Sequence, residues 1–554
     1  MAVTFVVLAL VMSGSCQTCR MDAHAAVAAG SALGRRARVA WLLRVNRLLA
    51  GESSLRSLPA FAAAFHGGVY DREVSVSTVS RWETGRTPVP WRAVRRYEEL
   101  LALPRNTLTA TARTVWRYWA PGPVLDVDPA GPAVRPLEDL LEQAVSGDVM
   151  TGDDWDQLVD GLCARPDVVL MPSGTWSALA ERLVEEMVIA DDLPWMLRFE
   201  SLNRLLNHRR GGRTVIAVCG AMAAGRARLT ATEIVCALDN CGHPDAADLV
   251  LSELARPSGP LAHRGAVMAC FRKVRYRHFD DGQLRTLVRA VRDSGGGPTG
   301  DQVEPLREHL SALHPEYARA VRGRRASTRP DEHHRNGSRD RGGSDPDARA
   351  LVAAAVGRVT ARLGTVEPDR VRDPAIPAAL VAETLASPLF DVRLYAAFLL
   401  AATPYRPVLA DALAAELVRP SAVRHERLAV VLLDALRVLG DHRHRGLLQR
   451  LAVLPSVPRP TAYAAVRGLG HVAADRAGGD FLRTAVAHHH AVWLSDRDPV
   501  TAATLESLVY ALGMASRDDL LTAILARADF LPVARTAAAR WLDIPGHRRA
   551  SALR

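Results

Sequence analysis

The stretch VSVSTVSRWETGRTPVP, from Val74 to Pro90, decides how this chain is read. Ser75 carries a side-chain oxygen suited to accept from an unpaired N–H at a helix start. Gly85 suits the left-handed backbone that ends a helix. The spacing predicts a helix of about nine residues between them, ~14 Å long at ~1.5 Å per residue. At about 100° per residue, Val76, Val79, Trp82 and Glu83 fall on one side, and Ser77, Thr78, Arg81 and Thr84 on the other. The first side needs neighbours to pack on. The second offers hydroxyls and a guanidinium, groups that hydrogen-bond base edges in a major groove.

Working outward, the flanking sequence supplies those neighbours. Leu33–Leu49 reads as a helix with Ala37, Trp41, Val45 and Leu48 on one stripe and Arg36, Arg44 and Arg47 off it. Ser57 and Pro59 begin a short second helix with Phe61 and Phe65 facing inward. Val94, Tyr97 and Leu101 stripe a fourth helix; Leu108, Ala112, Val115 and Trp119 stripe a fifth. Between Ser31 and Trp119 there are fifteen arginines against six acids, an excess of nine positive charges. The whole 554-residue chain carries +10, so the charge is concentrated in this segment. A basic folded segment on a near-neutral remainder is the footprint expected of nucleic-acid binding.

The segment 31–103 resembles the helix-turn-helix of the Cro/repressor (XRE) type. That family's third helix reads as a Ser/Thr-capped run ending in Ser-Arg-(Ile/Trp)-Glu-x-Gly, followed by a basic residue and a proline. This chain has Thr78-Val79-Ser80-Arg81-Trp82-Glu83-Thr84-Gly85-Arg86, then Pro88 and Pro90. The resemblance implies that Ser77, Thr78 and Arg81 face bases, that Arg86 meets a phosphate, and that Val79 and Trp82 are core. It implies a structural polar contact for Glu83. It also implies a homodimer on paired half-sites. Leu58-Pro59 stands where the family has a polar phosphate-holding residue. The link from Phe65 to Ser75 is longer than the family's tight turn, and it carries Arg72 toward the backbone. The candidate DNA-binding set is Ser75, Ser77, Thr78, Arg81, Thr84, Arg86 and Arg72. The alternative is a basic five-helix domain that binds protein.

The remaining sequence is helical in pattern and poor in chemistry. Residues 121–136 read as a linker, 137–320 as a helical block, 321–349 as a disordered linker and 350–550 as a second helical block. Asp391-Val392-Arg393 and the alanine-rich run after it resemble HEAT repeats, in which small residues let helix pairs stack. A right-handed α-solenoid and a generic bundle both fit. The expected class is therefore all-α. Residues 1–30 carry an apolar run, Thr4 to Met12, with no Lys or Arg before it. It lacks the positive start of an export signal, so Met21 is the preferred beginning of the protein.

Several chemistries drop out. Lys273 is the only lysine, so no Gly-Lys-Ser/Thr phosphate loop exists. No H-E-x-x-H or G-x-S-x-G is present. Asp153, Asp154 and Asp156 read as a helix start after Thr151. Cys236, Cys241 and His243 lack a fourth ligand nearby and read as buried thiols with a turn histidine. His488–His490 read as an exposed helix end. The segment 261–279 is basic and aromatic, either a repeat helix with solvated arginines or a second nucleic-acid surface. No catalytic residue, metal or cofactor is expected, and seven cysteines in a long chain fit a reducing cytoplasm without a disulfide scaffold. The expected partners are double-stranded DNA and a protein or peptide held by the later helices, with no membrane. The chain reads as a cytoplasmic DNA-binding regulator. The alternative is a helical-repeat scaffold whose basic head docks an acidic partner.

Overall fold

The computed structural model describes residues 33–119, 135–225, 231–294, 300–322, 346–366, 375–387, 389–472 and 479–554. The apolar run at the N-terminus, nearly all of the 121–136 linker and most of the 321–349 linker lie outside the described residues. Among the described residues there are 29 helices and no strand. None of these helices is long and apolar enough to cross a membrane.

The first five helices form a head: α1 (Arg35–Leu48), α2 (Leu58–Ala63), α3 (Val76–Glu83), α4 (Trp91–Leu100) and α5 (Thr107–Tyr118). Phe61, Phe65, Val79, Trp82, Val94 and Tyr97 are buried together at its centre. Phe65 lies against Trp82 and Tyr97 with ring centroids 5.5 and 5.7 Å apart. The long link between α2 and α3 is built into this core. Gly67 and Tyr70 exchange backbone hydrogen bonds of 2.8 and 3.1 Å, and the Tyr70 ring packs edge-on against Phe65 at 5.1 Å.

A second set of helices follows: α6 (Leu137–Ser146), α7 (Gly152–Cys163), α8 (Thr175–Val188), α9 (Asp192–Leu206), α10 (Gly212–Ala224), α11 (Ala231–Cys236), α12 (Pro244–Ala255), α13 (Pro260–Arg275), α14 (Asp281–Asp293), α15 (Gly300–Leu313) and α16 (Ala318–Arg322). Consecutive helices pair, and the pairs stack in two layers. At one crossing the backbones nearly touch. A Cβ on Gly265 of α13 would sit 2.7 Å from the Thr232 carbonyl oxygen of α11, so only glycine allows this approach.

The third set is α17 (Pro346–Leu363), α18 (Ala375–Ala386), α19 (Phe390–Ala401), α20 (Arg406–Leu417), α21 (Pro420–Arg424), α22 (Glu426–Leu439), α23 (Arg445–Val453), α24 (Arg459–Leu469), α25 (Gly479–Asp496), α26 (Pro499–Met514), α27 (Asp518–Ala526), α28 (Pro532–Asp543) and α29 (Gly546–Ala552). One layer runs α19, α22, α24, α26, α28, each packed on the next, with α20, α23, α25 and α27 behind it. Histidines join neighbouring pairs. His489 bonds the Ala452 carbonyl at 2.9 Å, and His490 meets Asp529 at 3.2 Å. This corrects the reading of 488–490 as an exposed end, since both rings are buried in the middle of α25.

The two later sets interlock. Trp195 of α9 stacks on Phe398 of α19 at 5.7 Å. Asp191 meets His471 at 2.7 Å, and Asp192 meets Arg406 at 3.2 Å. The last helix, α29, returns to α8; the Arg198 guanidinium donates to the carbonyls of Met150 and Ser551 at 2.8 and 2.5 Å.

Candidate nucleic-acid interface

The exposed face of α3 is built from its ends inward. The Ser75 hydroxyl accepts from the Thr78 N–H at 3.2 Å and lies 2.9 Å from both the Ser77 and Thr78 hydroxyls. At the far end Gly85 has φ +70°. Its N–H donates to the Trp82 carbonyl at 3.1 Å and the Arg86 N–H to the Arg81 carbonyl at 2.9 Å. These are the paired bonds of a Schellman stop, and they turn the chain sharply before Pro88. Beneath the turn, Gly85 lies against the Arg36 carbonyl of α1, where an added Cβ would meet the oxygen at 3.4 Å.

The buried face of α3 is held by charge as well as by apolar packing. Glu83 receives a two-pronged contact from Arg47, with Nε–Oε1 and Nη2–Oε2 both 2.7 Å. The Tyr97 hydroxyl donates to the same carboxylate at 3.0 Å. Arg47 also donates to the Arg56 carbonyl. Burial, then the nearby Glu83 carboxylate, pushes the Tyr97 phenol well above its ordinary value. Arg47 therefore departs from the expected solvent-facing position. It ties α1, the turn before α2, and α3 into one unit.

Of the seven candidate residues, Ser75, Ser77, Arg81, Thr84, Arg86 and Arg72 are exposed and Thr78 is half-buried. Arg81 Nη2 donates to the Thr78 hydroxyl at 3.3 Å, and the Thr84 hydroxyl donates to the Ser80 carbonyl at 2.8 Å. The sequence placed Val76 inward, but it is 41% exposed. The helix is eight residues long, and its buried residues are Val79, Trp82 and Glu83. The link from Phe65 to Ser75 is anchored by Arg96, which donates to the carbonyls of Phe65, Ala64 and His66 at 2.9, 3.0 and 3.2 Å.

No known protein-family model and no curated protein matches this chain.

The rest of the basic charge is placed differently from the expectation. Arg38 is 0% exposed and grips Glu383 of α18 at 2.8 and 2.6 Å, with its guanidinium 4.0 Å from the Trp119 ring. Arg95 of α4 and Arg113 of α5 reach Asp156 of α7 at 3.1 and 2.6 Å. Arg204 of α9 joins them at 2.6 Å on Asp156 and also contacts Asp160. Burial raises the Asp156 carboxyl, but Arg113, Arg204 and Arg95 outweigh it and hold the group well below the usual range. Arg117 of α5 meets Glu200 of α9 at 2.9 Å, and Arg105 meets Asp153 at 3.1 Å. Five head arginines are therefore paired with carboxylates of the later helices. Asn46 donates to the Ala402 carbonyl at 3.0 Å and Trp41 stacks on Tyr405 at 6.5 Å, which completes the docking of the head on α19 and α20.

Smaller features resolve locally. Thr151 and Asp154 form a reciprocal capping box at the start of α7, while Asp156 turns inward to the arginines. Asp191 stands at the N-cap position of α9, with no side-chain capping bond. In 261–279, Arg272 is buried against Asp239 at 2.8 Å and the Arg117 carbonyl at 2.8 Å, and Lys273 donates to the Cys241 carbonyl at 2.7 Å. Those two basic residues are internal props, neither solvated nor available to nucleic acid. His243 accepts from the Asp245 N–H at 3.1 Å as the cap of α12, and the five described cysteines are free thiols.

Proposed function

We propose that this protein is a sequence-selective DNA-binding regulator, with α3 as the reading helix. One observation carries the proposal. A short helix is fixed on its inner face by the Arg47–Glu83–Tyr97 cluster and presents Ser77, Arg81 and Thr84 outward on the other. Rigid placement of hydroxyl and guanidinium donors is what base-edge recognition in a major groove needs. Thr78, half-buried beside Arg81, orients that guanidinium. Arg72 and Arg86 flank α3 along the chain and would meet phosphates, which set register rather than sequence preference. The resemblance to the Cro/repressor type adds paired half-sites and a homodimer to the reading, and a cytoplasmic location. The two later helix sets would hold a protein or peptide partner.

Both the DNA reading and the scaffold alternative drew on the basic charge of the head, and five of those arginines already have carboxylates within the chain. The exposed arginines left near α3 favour the DNA reading.

The test is selection of binding sites from random duplex DNA with the full chain at fixed salt, beside the Ser77→Ala/Arg81→Ala double variant. Enrichment of a defined, two-fold motif by the wild type, lost in the variant, supports the reading. The variant should keep weak binding whose affinity falls steeply with salt. If both proteins enrich the same motif, α3 does not read bases. If neither binds, the head is not a DNA-binding module.

A further inference from the structure

One side chain on the outer part of α3 neither hydrogen-bonds nor joins the core. Val76, the first residue of the helix, is 41% exposed. Among the described residues of the head it is the only large apolar side chain so exposed. The core takes Val79, Trp82 and Glu83 from this helix and leaves Val76 out. The fold of the head therefore makes no demand for an aliphatic residue at this position.

Its surroundings are those of the reading face. At about 100° per residue, Val76 lies about 40° from Ser80, about 80° from Thr84 and about 100° from Ser77 around the helix. The hydroxyls of the first turn are engaged with one another. Ser75 Oγ accepts from the Thr78 N–H at 3.2 Å and lies 2.9 Å from both the Ser77 and Thr78 hydroxyls. The first turn thus presents an aliphatic surface beside a closed hydroxyl cluster. Valine suits a fixed contact, because its branched Cβ leaves one strongly preferred χ1 rotamer in a helix. Arg81 follows five residues later, ~7.5 Å farther along the axis at ~1.5 Å per residue. Base pairs stack ~3.4 Å apart, so the two side chains are about two base pairs apart when α3 lies along the groove.

We propose that Val76 reads the 5-methyl group of a thymine, about two base pairs from the base met by Arg81. This rests on α3 being the reading helix. In the major groove each base pair shows its own pattern of donors and acceptors, and thymine adds an apolar methyl group. Packing that methyl against the Val76 side chain removes apolar surface of both from water. One buried methyl is worth about fourfold in affinity. The contact needs no hydrogen bond, so it leaves the cluster of Ser75, Ser77 and Thr78 undisturbed.

The test starts from the motif selected by the full chain. Each thymine in turn is replaced by deoxyuridine, which pairs with adenine but lacks the methyl group. Binding to each duplex is measured by fluorescence anisotropy at fixed salt. One position in each half-site should lose about fourfold in affinity, and the other positions should change little. Val76→Ala should bind the thymine and deoxyuridine duplexes alike, while Val76→Ile should keep the preference. Val76 lies outside the core, so both variants should melt with the wild type, and the deoxyuridine scan itself needs no variant. A selected motif that tolerates deoxyuridine everywhere overturns the assignment and leaves α3 as the reading helix. A methyl preference that persists in Val76→Ala does the same. Selection of no motif at all overturns the DNA reading and this assignment with it.

Discussion

Replacing Asp156 by alanine should release the head from the body. Asp156 accepts from Arg113 at 2.6 Å, Arg204 at 2.6 Å and Arg95 at 3.1 Å, and its side chain is 1% exposed. Arg95 and Arg113 come from the head, and Arg204 from α9. The variant leaves three guanidiniums around Asp160 alone, which is itself 21% exposed. Breaking a buried pair by removing one partner costs about 3–5 kcal/mol, chiefly because the orphaned charge stays desolvated. Three cations on one carboxylate place Asp156→Ala at the upper end of that range. Urea unfolding followed by circular dichroism, extrapolated linearly to water, measures the loss. Asp156→Asn should lose less, because an amide oxygen still accepts from Arg113. The reasoning fails if Asp156→Ala costs under about 1 kcal/mol and the loss shrinks with added salt. That pattern belongs to an exposed, screened pair.

Three further outcomes follow from particular positions. Gly85→Ala forces a Cβ onto a left-handed residue and should cost about 1–2 kcal/mol, read as a drop in Tm. Gly265→Ala drives a methyl against the Thr232 carbonyl and should cost about 1–3 kcal/mol; an unchanged Tm would mean that α11 and α13 sit farther apart. Glu98 is buried, and burial raises its carboxyl from 4.5 to about 7 although the N–H groups of Thr109 and Asn106 partly oppose this. The folded chain then holds the proton more tightly than the unfolded one. The contribution of Glu98 to stability falls as pH rises from about 4.5 to about 7 and is level above that, a change of about 3 kcal/mol at ~1.4 kcal/mol per unit. Glu98→Gln removes this dependence. A difference between wild type and Glu98→Gln that stays constant from pH 5 to pH 8 contradicts the assignment.

The limits of α3 were legible because they are set by neighbours in sequence. Ser75 caps its start and Gly85 ends it, and each acts within three residues of itself. The all-helical class was legible for the same reason, since helical periodicity is a local signal. The burial of α1 was not. Its sequence shows one apolar stripe, yet Arg38, Asn46 and Arg47 are buried as well. Their partners are Glu383, the Ala402 carbonyl and Glu83, and the first two lie 345 and 356 residues away. The same distance misled the charge argument. Counting arginines against acids within 31–119 treats the segment as if solvent surrounded it, whereas carboxylates at 153, 156, 200 and 383 reach into it. The exposed candidate residues remained visible because nothing distant covers them.

The grip of Arg38 on Glu383 also sets an order in time. Residues 345 positions apart emerge from a ribosome roughly 20–70 s apart, at ~5–20 residues per second. The head is made early, yet α18 and α19, which secure it, come much later. During that interval Arg38 has no carboxylate and Trp41 has no Tyr405 to cover it. A chain that stalls before α18 has the head tied to α7 and α9 through Asp156 and Glu200 but lacks the contacts of α1 with Glu383 and Tyr405. The last seam of the fold is thereby closed only after most of the polypeptide has been translated, and a prematurely terminated product leaves one face of α1 open to solvent.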